Sequence, residues 1–569
     1  MQAIHASPQS IKKMSNQEFM IPEYQRPYSW GPDECDQLWD DLSNFIDEHL
    51  SKSGKPREEY FLGSIVVYPD PKNKKIWTII DGQQRLATLL MLLRAILEKA
   101  SSYTILEKII YKTHPKSGEA LKGKSRLESK VQWNADREDF LKVLAGMHSS
   151  LSKKNRFRVN YERLNERLHD WWQKKSARQC QKIIDLLLEN VVLLPIECGS
   201  QDDALTLFEI INDRGKPLGN TDLFKAKIYN AVPQKKRSHF ITCWNEMASS
   251  EESSEKLDPR ERLFRIYMHI SRAHEDKYGK EGNLRNYIMD HSLSSRKKIN
   301  SGWQNLMDTL KTCHWISNNS PLKNNDHIAR EKIYWAILRE CPNIYWSYPL
   351  HVFLNEHMKP RGDGFFLPDN MWKKYLALME DTTRYFFIKA VVHNSVNAVK
   401  DTTYKVCADI AQKRDYKKQY REGVQKDMAD FCQKLKDSNI GKCRNGLVYL
   451  AASLNSKQKP VAYSEALSEN IEIEHILPDK WNNYDKWKKD SWEKNLNRIG
   501  NLVPLKKKLN IKASNEFFKR KQEVYHGQAN IQDVWDLAKK KPSAWYPKDV
   551  EKRQEESLER LLEFFRKLL

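Results

Sequence analysis

The stretch that most constrains the fold lies near the C-terminus, where residues 471–478 have the sequence Ile-Glu-Ile-Glu-His-Ile-Leu-Pro. Apolar residues at alternate positions predict a short strand, and the closing proline ends it. Glu474 and His475 would then lie at the mouth of this strand. Residues 501–504, Asn-Leu-Val-Pro, predict a second short strand, and residues 505–510 predict a helical turn packed through its leucines. Two strands and a helical turn would bring a carboxylate, an imidazole and two amides to the ends of short apolar elements.

These side chains have the chemistry of a phosphodiesterase that uses one metal ion. A hard divalent cation prefers oxygen ligands, which Glu474 and Asn510 can supply. The neutral imidazole of His475 can take a proton from an attacking water beside that cation. The alternative is that Glu474 is a surface carboxylate and His475 a core histidine, which is the commoner situation for an isolated Glu-His pair. The two asparagines, Pro478 and the basic helix that follows favour the nuclease interpretation.

The segment resembles the HNH (ββα-metal) nucleases, and Glu-His-Ile-Leu-Pro at 474–478 resembles the C-terminal half of GmrSD-type restriction proteins. The resemblance implies that His475 is the general base. It also implies that Glu474 and Asn510 bind a divalent metal ion, Mg²⁺ or Mn²⁺, and that Asn501 orients the base.

The same segment differs from the commonest HNH pattern at two places. The residue before His475 is glutamate rather than aspartate, and residues 481–492 form an insert that is predicted to be helical. Three consecutive lysines follow on the predicted helical turn: Lys506, Lys507 and Lys508. Lysines that neutralise phosphates make DNA binding fall steeply as the salt concentration rises. These three are predicted to hold the DNA strand beside the scissile phosphate.

Composition restricts the class of partner. The chain has 569 residues, room for roughly three or four domains, and a net charge of +21. This excess of positive charge favours a polyanionic binding partner, either nucleic acid or an anionic membrane surface. No apolar run is long enough for a membrane span and the N-terminus lacks the features of a signal peptide, so a cytoplasmic protein is expected. The nine cysteines include no Cys-x-x-Cys pair, which argues against a zinc knuckle or a disulfide framework and favours free thiols.

A second constellation lies near the N-terminus, where residues 76–80 predict a strand that breaks at a glycine turn into an apolar helix. The turn has five residues: Asp81, Gly82, Gln83, Gln84 and Arg85. Free backbone N–H groups and the helix dipole at such a turn favour a phosphate, which the glutamine amides and the arginine can also bind. The pattern is not a Walker A loop. The alternative is a structural turn followed by a surface arginine.

These five residues, with Tyr-Gln-Arg-Pro-Tyr-Ser-Trp at 24–30, resemble the N-terminal half of GmrSD- and SspE-type defence proteins. That half is similar to the ParB/sulfiredoxin-like fold and binds and hydrolyses nucleoside triphosphates. The resemblance implies that residues 81–85 belong to a nucleotide site, with Arg26 near it. Asn212 and Arg214 match a further turn of the same family, and either face the phosphates or fasten the turn.

The rest of the chain indicates architecture rather than chemistry. The basic residues of 153–158 form either a solvated face or a surface that follows DNA. Residues 235–460 have the pattern of long amphipathic helices, and 550–569 predict a terminal one. Residues 361–364 are predicted to be a loop at a boundary between helical subdomains.

The expected fold class is therefore a mostly helical multidomain α+β protein. The expected domains are a ParB/sulfiredoxin-like nucleotide-binding α/β domain at 1–235, a helical connecting region at 236–430, and an HNH-type nuclease domain with C-terminal helices at 431–569.

The leading hypothesis is a nucleotide-regulated, metal-dependent DNA endonuclease that restricts modified foreign DNA. Its expected partners are double-stranded DNA and a nucleoside triphosphate, with no membrane; the sequence leaves a homo-oligomer open. The second hypothesis is a nucleotide-binding sensor of modified DNA, either an SspE-like nickase or a degenerate nuclease that acts mainly by binding. A basic protein of membrane surfaces is a third reading.

Overall fold

The structure is a computed structural model. It describes residues 4–50, 58–70, 73–131, 136–211, 220–247, 259–293, 296–318, 326–362, 364–393, 395–480 and 487–569. Within these ranges the chain is mostly helical, with a mixed sheet in its N-terminal part, as expected for a multidomain α+β protein. It divides into two compact units, Met1–Glu246 and Met247–Leu569. All nine cysteines lie in the described ranges and are free thiols.

Unit 1 is built on a seven-stranded mixed sheet. The described strands of this unit are β1 (His5–Ala6), β2 (Gln9–Ser10), β3 (Glu18–Ile21), β4 (Tyr60–Pro69), β5 (Ile76–Asp81), β6 (Tyr111–Thr113), β7 (Ala120–Ser125), β8 (Leu127–Ser129) and β9 (Val191–Glu197). The order in the sheet is β1-β9-β4-β5-β3-β8, and β2 also pairs with β9. β4 and β5 are antiparallel, whereas β4 with β9, and β3 with β5 and β8, are parallel. β6 and β7 form a separate antiparallel pair.

The helices of unit 1 cover this sheet. They are α1 (Ile11–Met14), α2 (Pro32–Leu50), α3 (Gln83–Lys99), α4 (Thr104–Ile110), α5 (Asp136–Leu144), α6 (Arg156–Trp172), α7 (Ala177–Glu189), α8 (Gln201–Ile211), α9 (Asn220–Ala231) and α10 (Arg237–Glu246). α3 is apolar around most of its circumference, so nearly all of it is buried in the core. Each fully buried leucine there contributes roughly 1.5–3 kcal/mol of hydrophobic free energy.

Unit 2 is a helical assembly with two small two-stranded antiparallel sheets. Its described helices are α11 (Pro259–His274), α12 (Leu284–Tyr287), α13 (Arg296–Asn318), α14 (Asp326–Arg339), α15 (Ser347–His357), α16 (Asp369–His393), α17 (Asn397–Ala411), α18 (Lys417–Val424), α19 (Met428–Lys436), α20 (Arg444–Ser453), α21 (Pro460–Ser468), α22 (Lys489–Leu496), α23 (Lys507–Ala513), α24 (Phe518–Tyr525), α25 (Gln532–Ala538) and α26 (Pro547–Arg566). The first pairs β10 (Lys359–Arg361) with β11 (Gly364–Phe366), and the second pairs β12 (Ile471–His475) with β13 (Leu502–Lys506). Arg361 and Gly364, the ends of the predicted loop, pair with each other across β10 and β11 within unit 2.

The helical middle of the chain packs directly on its C-terminal helix. Arg384 on α16 donates from Nε to the carbonyl of Phe564 at 2.9 Å, and its guanidinium lies over the Phe564 ring. Phe431 on α19 meets the edge of Phe565, with ring centroids 4.7 Å apart. The expected division at 430/431 falls inside α19, so the two regions share one core.

No helix among the described residues is both long and apolar enough to span a bilayer.

Candidate nuclease and nucleotide sites

The C-terminal constellation is built on β12, β13 and α23. β12 and β13 are antiparallel, with His475 opposite Leu502 and Ile471 opposite Lys506. α23 follows β13 directly. The strand–strand–helix order predicted from the sequence is therefore confirmed. Leu477 and Leu502 are buried and fix the end of β12 that carries His475.

Glu474 is a buried, ion-paired carboxylate. Its Oε1 accepts from Lys521 Nζ at 2.7 Å and from the Tyr525 hydroxyl at 2.9 Å. Lys521 has 1% of its side chain exposed and also donates to the backbone carbonyl of His475 at 2.6 Å. Burial raises the pKa of Glu474 and lowers the pKa of Lys521, whereas their mutual attraction opposes both shifts. An ammonium group of the chain itself therefore lies against the carboxylate assigned to a metal ion.

His475 is half-buried at the end of β12. Its Nε2 lies 3.3 Å from Oδ1 of Asn497, the residue that follows the last turn of α22. Burial lowers the pKa of His475, the hydrogen bond with Asn497 opposes that shift, and the nearby charge of Arg444 adds to it. The net lowering favours the neutral imidazole that a general base requires.

Asn501 fastens the loop after His475 rather than the imidazole. Its Oδ1 accepts from the Leu477 backbone N–H at 2.8 Å and from the Trp545 indole N–H at 3.1 Å. Its Nδ2 donates to the carbonyls of Leu496 at 2.9 Å and Leu477 at 3.3 Å. Among the described residues no hydrogen bond joins the Asn501 side chain to His475. Asn501 is fully buried, which agrees with this fastening role.

Asn510, the other expected metal ligand, lies against a different carboxylate. Its Nδ2 donates to Glu472 at 3.1 Å, and Lys507 pairs with the same carboxylate at 2.8 Å. Glu474 and Asn510 thus have separate partners, and the ammonium of Lys521 already neutralises Glu474. This arrangement does not fit a divalent ion held by Glu474 and Asn510.

One other group in the described ranges brings three candidate metal-ligand atoms within 4.8 Å of one another: Glu48, His49 and Glu58 of unit 1. Its two carboxylates are exposed, as acidic side chains often are without a metal, and it lies outside the predicted centre.

The three predicted DNA-binding lysines differ in their surroundings. Lys506 pairs with Glu469 at 2.7 Å, and Lys507 pairs with Glu472. Lys508 is exposed, and within the described part of the chain it has no ion-pair partner. Among the described residues, Lys508 is therefore the one of the three whose charge is not shared with a carboxylate.

The N-terminal constellation has the predicted strand, glycine turn and helix. β5 ends at Asp81, and Gly82 has φ +91° at the start of α3. A Cβ atom at this position would lie 2.4 Å from Cγ2 of Ile65, so both the conformation and the space require glycine. Burial raises the pKa of Asp81, whereas Arg85 and Arg26 oppose that shift.

The two glutamines of the turn hold the segment at 24–30. Gln84 accepts at Oε1 from the Ser29 backbone N–H at 2.7 Å and donates from Nε2 to the Pro27 carbonyl at 3.2 Å. Gln83 donates to the Arg26 carbonyl at 3.3 Å, and its buried Oε1 has no hydrogen-bond partner among the described residues. The two motifs predicted to act together are therefore joined by hydrogen bonds.

Arg85 lies against the sheet, and Arg26 lines a small cavity. Arg85 donates to the Ser64 carbonyl at 3.0 Å. Arg26, Gln83 and Gln84 line a cavity of about 20 Å³, room for about one water. Three of the predicted nucleotide-site residues thus meet at this cavity, whereas Arg85 lies against β4. Asn212, Arg214 and residues 481–486 of the predicted insert lie outside the described residues, and α22 begins within the described half of the insert.

Several residues near His475 and Glu474 were not identified from the sequence. Lys521 and Tyr525 are four residues apart on α24, a spacing that places both on one helix face. That spacing is a signal that could have indicated a shared partner. Asn497 and Arg444 belong to no motif, so only the fold brings them to His475.

Comparison with protein families assigns the chain. The family model of the GmrSD restriction endonuclease N-terminal domain matches residues 9–229. The model of the C-terminal domain of GmrSD restriction endonucleases matches residues 423–560. The chain belongs to the GmrSD restriction endonuclease family. A search of curated proteins returned no match.

Both matched domains are those of restriction endonucleases, a class of nuclease enzymes. The N-terminal GmrSD match contains the turn at 81–85, and the C-terminal match contains β12, β13 and α23. The two constellations thus fall in the two halves of a GmrSD protein, as the resemblance implied.

Proposed function

We propose that the chain is a nucleotide-regulated DNA endonuclease that restricts modified foreign DNA, with His475 as its general base. The observation that carries this proposal is the position of His475. It lies half-exposed at the end of β12, on a strand–strand–helix element inside the GmrSD C-terminal match. That element order is the one an HNH-type centre requires, and the local environment favours the neutral imidazole.

The reaction is hydrolysis of a phosphodiester. His475 takes a proton from a water molecule, and the resulting hydroxide forms a new P–O bond. The bond from phosphorus to one ester oxygen breaks, and the leaving alkoxide takes a proton from solvent. Asn501 holds the loop that follows the base, through Leu477.

Metal dependence follows from the resemblance alone. A Mg²⁺ or Mn²⁺ ion would supply charge for the developing phosphorane and for the leaving oxygen. Because Lys521 already neutralises Glu474, we assign no step to this ion. Activity with EDTA and with each cation tests the metal requirement directly.

Nucleotide control is proposed for unit 1. Three features of unit 1 are suited to phosphate oxygens: the N-terminus of α3, which has no N-cap side chain among the described residues, the glycine turn, and Arg26. They support the proposal of a ParB/sulfiredoxin-like nucleotide site. Binding or hydrolysis of a nucleoside triphosphate at residues 81–85 would then gate phosphodiester hydrolysis.

The decisive experiment incubates purified protein with supercoiled plasmids, with and without each nucleoside triphosphate and Mg²⁺. One plasmid is unmodified. Each of the others carries one modification: methylated, hydroxymethylated or glucosylated cytosine, or phosphorothioate linkages. We expect nicking or linearisation of one modified plasmid by wild type, and none by His475→Ala. His526→Ala is the matched control, because His526 is an exposed histidine of the same unit. Full cleavage by His475→Ala would sink the assignment of the base.

The second candidate is a nucleotide-binding sensor of modified DNA. The Lys521–Glu474 ion pair favours it, because a carboxylate that is already paired is what a degenerate metal centre would contain. Such a sensor would retain modified DNA in a binding assay and leave every plasmid intact at any metal concentration. An SspE-like nickase would stop at the nicked form.

A further inference from the structure

Three element ends meet at His475. β12 ends at His475, Asn497 follows the last turn of α22, and α20 begins at Arg444. Nη1 of Arg444 donates to Oδ1 of Asn497 at 2.6 Å, and Nε2 of His475 lies 3.3 Å from the same oxygen. One amide oxygen therefore joins a guanidinium to the imidazole.

The hydrogen-bond pattern fixes which imidazole nitrogen carries a hydrogen. A guanidinium has no acceptor, so the atom of Asn497 that faces Arg444 is the amide oxygen and not the amide nitrogen. An amide oxygen can only accept, so Nε2 of His475 must donate to it. Nδ1 is then the nitrogen with the free lone pair, and it is the one that can take a proton from water.

The Arg444 guanidinium has more N–H donors than its hydrogen bond to Asn497 uses. Its guanidinium carries five N–H groups, and the bond to Asn497 uses one. In the described part of the chain no carboxylate pairs with Arg444, and its side chain is half-exposed. α20 has no acidic residue in its first turn, so the helix dipole adds to the positive potential there. A partly exposed, unneutralised guanidinium beside a general base is suited to bidentate contact with a phosphate.

We propose that Arg444 and Asn497 complete the nuclease centre, Arg444 by binding the non-bridging oxygens of the scissile phosphate and Asn497 by positioning His475 with Nδ1 toward the attacking water. The inference rests on the proposed function, because it takes His475 as the base. In this proposal the arginine provides the positive charge at the phosphate, because the predicted metal ligands are already bound to other side chains of the protein.

The positioning role is tested first by a measurement that needs no cleavage. Nitrogen NMR of the histidine-labelled full-length protein reports which ring nitrogen of His475 carries the hydrogen. We expect Nε2–H in wild type, a mixture of tautomers in Asn497→Ala, and Nε2–H again in Asn497→Asp, whose carboxylate also accepts. A hydrogen on Nδ1 in wild type would overturn the positioning role, and so would a spectrum unchanged in Asn497→Ala.

The phosphate-binding role is tested by kinetics on the cleaved plasmid and by anisotropy with a short DNA duplex. We expect Arg444→Ala to lower kcat/KM about 10²-fold and to weaken duplex binding, with Arg444→Lys intermediate because a lysine offers only a point charge. We expect Asn497→Ala to lower kcat with little change in KM. Lys442→Ala is the matched control, since Lys442 is an exposed cation two positions before Arg444. Equal effects of Arg444→Ala and Lys442→Ala on both readouts would refute the assignment of Arg444.

Failure of this inference is distinguishable from failure of the proposed function. If no plasmid is cleaved, the tautomer and the binding of the duplex still decide the roles of Asn497 and Arg444. If His475→Ala still cleaves, the proposed base is wrong whatever the tautomer. Unfolding midpoints of all variants within a few degrees of wild type establish that the effects are local.

Discussion

The ammonium of Lys521 lies in the interior of unit 2, between the Glu474 carboxylate and the His475 backbone carbonyl. Removal of one partner of a buried pair leaves an uncompensated charge, which typically costs about 3–5 kcal/mol. We therefore expect Lys521→Met to lower the free energy of unfolding of unit 2 by about that amount, measured by urea denaturation. Lys519→Met on the exposed face of the same helix is the control, with an expected change below about 0.5 kcal/mol.

The double variant Lys521→Met with Glu474→Gln separates charge from packing. Without the buried charge, we expect it to regain more than half of the stability lost in the single variant. A double variant as unstable as Lys521→Met alone would show that the lysine acts through packing of its methylene chain instead.

Gly82 offers a matched comparison within unit 1. Gly82 and Gly123 have nearly equal φ, +91° and +92°, but a Cβ at Gly82 would lie 2.4 Å from Ile65 and one at Gly123 would meet nothing within 4 Å. Both alanine variants share a left-handed backbone cost of roughly 1–2 kcal/mol. We expect Gly82→Ala to lose about 1–3 kcal/mol more through overpacking, seen as a lower urea midpoint. Equal losses would mean that Ile65 moves aside freely.

The positions of the candidate site residues in the fold can be predicted from the sequence better than their contacts. The sequence predicts Glu474, His475 and Asn501 at the ends of two short strands, and in the structure they lie at or beside the ends of β12 and β13. Their partners could not be predicted, because Lys521 lies 47 positions from Glu474 and reaches it through tertiary packing. A motif records the chemistry of a side chain, whereas its neighbours depend on how distant helices dock.

At the scale of elements, strong periodicity was a sound guide. The strand–turn–helix of β4, β5 and α3, and the hairpin of β12 and β13, follow from alternating or continuous apolar residues with glycine or proline at the breaks. The segment 100–190 is rich in charged residues and contains α4–α7, yet it also contains β6, β7 and β8. β8 has three residues and pairs in parallel with β3, so it has too few positions for a periodic signal.

A buried acid on α14 makes the helical part of unit 2 sensitive to pH. Glu331 is 6% exposed, and burial raises its pKa to about 8. An unfolded glutamate titrates near 4.3, so between about pH 4.3 and pH 8 the folded state holds a proton that the unfolded state has released. The contribution of Glu331 to the free energy of unfolding therefore falls as pH rises through this window, and this contribution is constant below and above the window.

We expect Glu331→Gln to remove this slope. Its stability gain should be near zero at pH 4 and reach a few kcal/mol at pH 8, measured by urea denaturation across the range. Glu422→Gln, on an exposed face of α18, should follow the wild-type curve. A Glu331→Gln curve parallel to wild type would mean that the acid is ionised in the folded state.

At the scale of the molecule, the chain divides into two compact units, and the three expected domains stay a prediction. Amphipathic helices indicate which face is apolar but not which helix covers it, so the contact of α16 and α19 with α26 could not be predicted from sequence. These contacts join the helical middle to α26, and Gly500, which lies just before β13, is hydrogen-bonded to Gln554 on the same helix. A change of packing in the middle can therefore reach the element that carries His475 without a separate hinge.

The net charge of +21 predicts that DNA binding by the whole chain depends on the salt concentration. Each phosphate that the chain neutralises contributes a slope of about −0.9 to the plot of log K against log salt concentration. Since Lys508 is exposed and has no ion-pair partner among the described residues, we expect Lys508→Gln to reduce that slope by about 0.9, measured by fluorescence anisotropy with a duplex. Lys457→Gln removes an equal charge from an exposed position outside the predicted DNA-binding surface and should leave the slope unchanged. If both variants lower the slope equally, DNA is held by the overall positive field of the chain, and the lysines at 506–508 have no special part in binding.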